Sequence, residues 1–151
     1  MLREKSSKVK IQDSIETEKL IQELIEKFDP FVVILHGSAA KGKFVDNLSD
    51  IDIIVISSKF TDVNPKDRFI QLLEAAQRHA LKIEALGYTL DEFTEMIRTL
   101  NFFALDIAYY GIPLFNKDNT WETILEDFDE VKSKHNLRKT PSGGWMFTSK
   151  T

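Results

Sequence analysis

The chain has 151 residues, of which 42% are hydrophobic, and a formal net charge of -4 at pH 7. A domain of this length can bury about two-thirds of the surface of its unfolded chain, so it needs no covalent staple. The absence of cysteine excludes disulfides and thiolate metal sites, and the net charge argues against a generic nucleic-acid coat protein. The charged start lacks a signal-peptide core and no apolar run is long enough to cross a bilayer, so we expect a cytoplasmic protein without a membrane partner.

The first third of the chain predicts a helix followed by two buried strands. Asp13 and Glu16 form a capping-box pattern, and the helix that follows should end before Asp29-Pro30. Its apolar face is predicted to comprise Leu20, Ile21, Leu24, Ile25 and Phe28. The segments 31–35 (FVVIL) and 51–56 (IDIIVI) are almost wholly apolar, as is typical of strands that are buried on both faces.

The middle of the chain predicts a helix, a third strand and two further helices. Asn64-Pro65 opens the first of these helices. Its predicted apolar face comprises Phe69, Leu72, Leu73, Ala76 and Ala80. In 81–85 apolar residues alternate with Lys82 and Glu84, which predicts a strand. Thr89 and Glu92 predict a capping box for the next helix, and another helix follows it and ends at Gly111.

The last third predicts an edge strand, a helix and a tail. Pro113 cannot donate to a central ladder, so 112–115 (IPLF) should be an edge strand. Asn119 and Glu122 should cap the last helix. We therefore expect a single α/β (α+β) domain over 1–135, with a small mixed β-sheet, flanking helices and a core motif region at 31–115. Residues 136–151 would form a basic, Gly-containing C-terminal tail, which could attract a polyanion such as RNA or a nucleoside triphosphate or could simply be solvated.

The turn after the first strand, 36–44 (HGSAAKGKF), has the spacing of a phosphate-binding P-loop. Phe44, however, occupies the position of the Ser or Thr whose hydroxyl would hold magnesium. A P-loop ATPase is therefore disfavoured. Gly37 still allows the backbone to approach a phosphate, and Ser38 offers a hydroxyl and an amide at the start of a short helix.

Two carboxylates follow at the start of the second strand. Asp50 and Asp52 are separated by one residue, so in an extended chain they lie on the same face with Cα atoms roughly 6.5 to 7 Å apart. This span suits two magnesium ions, which lie about 3.5 to 4 Å apart in two-metal phosphoryl-transfer sites. A P-loop does not explain the pair, whereas a buried Asp without a cation would be costly.

The order strand, Gly37-Ser38, eleven residues, Asp50-x-Asp52 on a second strand and an acid on a third strand resembles the DNA polymerase beta-like nucleotidyltransferase superfamily. The small size and the wording SDID resemble its minimal, stand-alone (MNT-type) members. The resemblance implies that Gly37 and Ser38 hold the triphosphate and that Asp50, Asp52 and Glu84 are catalytic and bind two Mg²⁺ ions. Glu84 would also help to deprotonate the attacking hydroxyl.

Two positions depart from the family pattern. Most relatives have Asp where this chain has Glu84, and close relatives often have Arg where it has Ala39. Lys41 or Lys43 could supply the missing charge near the triphosphate, or either could be a solvated loop residue.

The resemblance implies transfer of AMP from ATP to an acceptor hydroxyl. Acceptors among minimal relatives include protein hydroxyls, RNA ends and small molecules, and such relatives are often antitoxins whose partner is a helical RNase toxin. Because the chain has little room for an acceptor domain, a partner or a second copy, as a homo-oligomer, could complete the site. The alternative is a catalytically weak or inactive module that keeps the fold and acts by binding a partner.

Overall fold

The computed structural model describes residues 14–42, 50–79 and 82–148. These residues form a mixed four-stranded sheet, helices on both of its faces and a two-stranded hairpin. The elements in chain order are α1 (Ile15–Phe28), β1 (Val32–His36), α2 (Gly37–Ala40), β2 (Ile51–Ile56), a 3-10 turn (Ser58–Phe60), α3 (Pro65–Ala76), β3 (Ile83–Tyr88), α4 (Leu90–Arg98), α5 (Phe102–Tyr110), β4 (Ile112–Asn116), α6 (Thr120–His135), β5 (Arg138–Lys139) and β6 (Trp145–Met146). The predicted α/β class with a small mixed sheet is confirmed.

The sheet has the strand order β3-β2-β1-β4. Strand β1 runs antiparallel to both β2 and β4, whereas β2 and β3 are parallel. The parallel pair requires a crossover connection, which α3 supplies. Strand β4 lies at the edge, as Pro113 predicts.

Alternation along the apolar strands divides the interior into two cores. Val33, Leu35, Ile53 and Val55 pack with α1 and α3 on one face of the sheet. Val32, Ile34, Ile54 and Ile56 pack with α4, α5, α6 and the hairpin on the other face. Each fully buried side chain of this kind contributes about 1.5 to 3 kcal/mol. The absence of polar residues from these positions therefore follows from burial on both faces.

The capping predictions were right for α4 and wrong for two other helices. Thr89 and Glu92 form the predicted capping box of α4. Helix α1 is capped by Ser14, whose hydroxyl accepts from the Thr17 amide at 3.1 Å, and not by Asp13, which lies outside the described residues.

Helix α6 is capped in a different way from the prediction. Asn119 adopts a left-handed conformation with φ 56° and makes no side-chain cap. The Asn116 side chain instead accepts from the Trp121 amide at 2.9 Å and donates to Glu122 at 2.8 Å. The Trp121 amide near the start of α6 is thus satisfied by a residue of the preceding strand β4. The capping-box pattern does not predict this contact, because it concerns only the residues at the start of the helix itself.

The predicted apolar face of α3 was also partly wrong. Leu72 and Ala76 are buried, but Phe69 and Leu73 are each 38% exposed, and Ala80 lies outside the described residues. Arg68 is buried in their place, because its guanidinium donates to the Val63 and Gly87 carbonyls and pairs with Glu92. A buried cation is tolerated where its donors are satisfied in this way.

Part of the predicted tail folds back onto the domain. Strands β5 and β6 form an antiparallel hairpin, and Trp145 is buried beside Phe128 of α6 and Tyr109 of α5. Both ring contacts are edge-to-face. Among the helices that the structure describes, none has the length and apolar character needed to cross a bilayer.

Candidate functional site

A cleft of about 310 Å³ opens between one end of the sheet and helix α5. It is lined by His36, Gly37, Lys41, Asp52, Glu84, Phe103, Asp106, Ile107 and Tyr110. Four of these are residues that the sequence predicts as functional: Gly37, Lys41, Asp52 and Glu84. The cleft therefore brings together the Gly-containing turn after β1 and the acids of β2 and β3.

The register of the sheet explains this convergence. His36 pairs with Asp52 across β1 and β2, and Asp52 pairs with Glu84 across β2 and β3, so the three residues form one row. Asp52 alternates in phase with Ile54 and Ile56, which face the core that contains α5. The row is consequently the polar end of that apolar layer.

Asp52 has an unusual electrostatic environment. Its pKa is raised from the ordinary value of 3.8 to about 6, first by burial, then by the charges of Glu84 and Asp50 and by a hydrogen bond to Glu84. Each of these causes disfavours the ionised carboxylate. Among the described residues, the charged groups that shift this pKa are therefore both acids, and we refer to Asp52 and Glu84 as the acidic row.

Asp50 lies at the rim rather than in the cleft. It immediately precedes β2, is 54% exposed and forms an ion pair with Lys82 at 3.8 Å. Its charge still contributes to the raised pKa of Asp52, so the two carboxylates are near each other, as their spacing predicts.

The turn after β1 brings its backbone against the acidic row. Gly37 has a left-handed φ of 72°, and a Cβ atom at this position would clash with the Asp52 carboxylate. Only glycine combines this conformation with this close approach. Ser38, the second residue of α2, is half-buried and does not line the cleft.

Of the two lysines that the sequence predicts to bind the nucleotide, Lys41 lies within the described residues. Lys41 lines the cleft, and its ammonium group lies 4.5 Å from the centre of the Tyr110 ring. This contact is a cation–π interaction, which gives an exposed lysine a preferred position. Lys43 lies outside the described residues.

Several residues of the cleft were missed by the sequence analysis. His36 ends β1, and burial lowers the pKa of its imidazole to about 4, so the ring is neutral at pH 7. Its ring meets the Phe103 ring edge-to-face at 5.5 Å. Residues 103, 106, 107 and 110 recur at i, i+3, i+4 and i+7, which is one face of α5. That stripe is visible in the sequence, but α5 is apolar around most of its circumference, so the pattern does not reveal which face borders a cleft.

The metal ligands that Asp52 and Glu84 could offer are carboxylate oxygens, the type of ligand that Mg²⁺ prefers. Within 14–42, 50–79 and 82–148, no three His, Asp or Glu side chains stand close enough together to hold a metal ion unaided. Mg²⁺ commonly binds one or two carboxylates and takes its other ligands from water and substrate phosphates. The residues present fit such a shared site.

Residues 17–104 match the sequence profile of the nucleotidyltransferase domain. No curated protein sequence matches the chain significantly. Among solved structures, a toxin–antitoxin complex with AMP-PNP contains a chain of 18% identity with a TM-score of 0.50, and the alignment covers 80% of this chain and 91% of that one.

Two further solved structures align at lower similarity. A Sulfolobus solfataricus protein described as a candidate nucleotidyltransferase has 16% identity and a TM-score of 0.49 over 68% of this chain and 79% of its own. A variant of the toxin–antitoxin complex MntA–HpeT has 14% identity and a TM-score of 0.49 over 80% and 91%.

Proposed function

Since the chain belongs to the nucleotidyltransferase domain family, we propose that it transfers AMP from ATP to an acceptor hydroxyl with the help of Mg²⁺. The observation that carries the proposal is the Asp52–Glu84 pair, which lies against Gly37 in a cleft, and in which burial and the neighbouring acids raise the pKa of Asp52. A carboxyl group whose pKa is raised by burial and by neighbouring acids lowers the stability of the folded domain when it ionises, and such groups concentrate at functional sites.

In the proposed reaction, the acceptor oxygen forms a bond to the α-phosphorus of ATP. The bond between that phosphorus and its bridging oxygen breaks, and pyrophosphate leaves. Glu84 takes the proton of the acceptor hydroxyl, because its carboxylate lines the cleft beside Asp52. Gly37 lets the backbone approach the triphosphate, with Ser38 next to it, and Lys41 supplies positive charge.

Asp50, Asp52 and Glu84 are the proposed ligands of two Mg²⁺ ions, together with phosphate oxygens. When bound, Mg²⁺ offsets the negative charge of the phosphates and of the transition state. The raised pKa of Asp52 supports this assignment, because a nearby cation would stabilise the ionised carboxylate that burial and the neighbouring acids disfavour.

The proposed acceptor is a hydroxyl of a protein partner. The fold is similar to that of a chain in a toxin–antitoxin complex, which supports a partner of this kind. A helical RNase toxin is the partner class that the sequence resemblance implies, and an RNA end is the competing acceptor.

A second candidate function is a binding module that acts on such a partner without turnover. It is supported by the Asp50–Lys82 ion pair and by the absence, in the described part of the chain, of three acids clustered closely enough to hold a metal alone. Under this reading the domain would hold a partner but transfer no nucleotide.

Calorimetric titration of ATP with Mg²⁺ tests the proposal. We expect binding to the wild type that requires Mg²⁺ and disappears in the double variant Asp50→Asn, Asp52→Asn, while Asp129→Asn on the exposed surface of α6 binds normally. ATP labelled at the α-phosphate then tests transfer to co-purified protein or RNA. Binding without transfer would favour the module, and no binding would contradict both the metal site and the proposed enzyme.

A further inference from the structure

One carboxylate in the cleft is not explained by phosphoryl transfer. Asp106 lies on the cleft-facing stripe of α5, on the wall formed by that helix, and it is the only acid in α5. It is 40% exposed. A third carboxylate near Asp52 and Glu84 adds to the repulsion of phosphates, so this wall is unsuited to the triphosphate.

Two residues of the C-terminal hairpin (β5 and β6) donate hydrogen bonds to Asp106. Its Oδ1 atom accepts from the Trp145 indole nitrogen at 2.8 Å and from the Lys139 ammonium at 3.1 Å. Within the described residues, its Oδ2 atom makes no hydrogen bond to the protein. A carboxylate that is fixed through one oxygen presents the other as an oriented acceptor.

Lys139 is itself held firmly. Its ammonium donates to the Gly143 carbonyl at 2.6 Å and lies 4.7 to 5.4 Å from the ring centres of Tyr109, Tyr110 and Trp145. It is only 15% exposed. Desolvation offsets much of the attraction in such a pair, so the arrangement gives position more than stability.

We propose that Asp106 accepts a hydrogen bond from the exocyclic amino group of the nucleotide base, and that Trp145 and Lys139 are positioning residues for it. This inference rests on the proposed function. Phe103, one turn before Asp106 on the same stripe, is 38% exposed and offers a ring for stacking of that base. An amino group donates to a carboxylate, whereas the carbonyl group of inosine or uracil at the same place would face a repelling acceptor.

A hydrogen bond from the base to Asp106 would make the nucleoside end of the cleft selective for adenine over a purine without the amino group. We expect the wild type to bind purine riboside triphosphate at least about tenfold more weakly than ATP, since a hydrogen bond to a charged group is lost. Calorimetry with Mg²⁺ and each nucleotide measures this ratio without turnover.

The variant Asp106→Asn should change which nucleotide is preferred, and not only weaken the binding of ATP. The amide oxygen can still accept from Trp145 and Lys139, which turns the amide nitrogen, a donor, toward the base. We expect this variant to prefer inosine triphosphate over ATP, whereas the wild type prefers ATP. Asp129→Asn, an exposed acid of α6, is the matched control and should keep the wild-type preference.

Trp145→Phe provides an independent variant if Asp106→Asn does not fold. It removes the indole donor but keeps a ring against Phe128 and Tyr109. A structural role alone would weaken all nucleotides equally, whereas a positioning role reduces the ratio between ATP and purine riboside triphosphate.

The outcomes separate this inference from the proposed function. Equal binding of ATP and purine riboside triphosphate by the wild type would overturn the role of Asp106 and leave the enzyme proposal intact. Discrimination against 2′-deoxyATP alone would also overturn it, because the contact would then be to the ribose. No binding of any nucleotide would contradict the proposed function itself.

Discussion

Asp52 on β2 and Glu84 on β3 are register partners on parallel strands, so their side chains lie side by side on the same face of the sheet. Burial first, and then the charges of Glu84 and Asp50, raise the pKa of Asp52 to about 6. Above that pH Asp52 is ionised in a half-buried position beside other acids. The site is thus held by the fold at a cost to the stability of the domain without ligand.

We expect Asp52→Asn to stabilise the ligand-free domain at pH 8. Because the folded pKa of Asp52 is raised from 3.8 to about 6, the wild type loses stability as the pH rises through this interval, and the loss is complete above it. After allowance for solvent screening of a partly exposed group, the gain in the variant is about 1 kcal/mol. Urea denaturation at pH 4 and pH 8 measures it, and equal stability of the two proteins at pH 8 would contradict the expectation.

Gly37→Ala and Gly42→Ala form a matched pair. Both glycines have left-handed φ, 72° and 75°, but a Cβ at residue 42 meets open space whereas one at residue 37 meets Asp52. The strain costs about 1 kcal/mol at each position, and the clash at 37 adds to it. Thermal denaturation should therefore show Gly37→Ala to be the less stable variant. If the site proposal holds, it should also lose ATP binding that Gly42→Ala retains.

We expect Glu84→Gln to reduce nucleotide transfer by at least about 100-fold, because the proposed proton acceptor is removed. The folded domain should keep or gain stability, since one charge of the acidic row is lost. Glu84→Asp keeps a carboxylate at this position and should retain measurable transfer. Single-turnover assays with labelled ATP compare the three proteins, and full activity in Glu84→Gln would remove this residue from the mechanism.

Arg68→Met should destabilise the domain by about 2 to 3 kcal/mol, because the Val63 and Gly87 carbonyls and the Glu92 carboxylate lose their donor. The exposed Lys66→Met on the same helix is the control. Pairing with Arg68 lowers the pKa of Glu92 below 4.5. This stabilisation is therefore present above pH 4.5 and is lost as the pH falls through the lowered pKa. Urea denaturation at pH 7 and pH 3 should show a difference between wild type and Arg68→Met that shrinks at the lower pH.

The strands and the nearness of Asp50 to Asp52 could be predicted because they depend on local pattern. Ile51 to Ile56 is apolar except for Asp52, so its extended, doubly buried conformation and the facing of Asp50 and Asp52 follow from alternation alone. The position of Glu84 beside them was implied by the resemblance to the nucleotidyltransferase superfamily, and the register of β2 and β3 pairs Glu84 with Asp52.

The wall opposite the acidic row could not be predicted, because it depends on contacts between distant parts of the chain. Asp106 and Trp145 are 39 residues apart, and no local motif joins them. Arg68 was missed for a related reason: its burial depends on Gly87 and Glu92, which lie on other elements. Periodicity assigns a charged residue to the surface unless its partners are known.

The two apolar cores on opposite faces of the sheet also help to fix the register of β2. If this strand slipped by one residue, Asp52 would turn toward α1 and α3, and an isoleucine would enter the cleft in its place. Such a slip would bury a carboxylate among aliphatic side chains and expose apolar surface at the same time. The aliphatic residues that stabilise the domain therefore also disfavour the misaligned strand, so the placement of the proposed catalytic acids depends on side chains that lie outside the cleft.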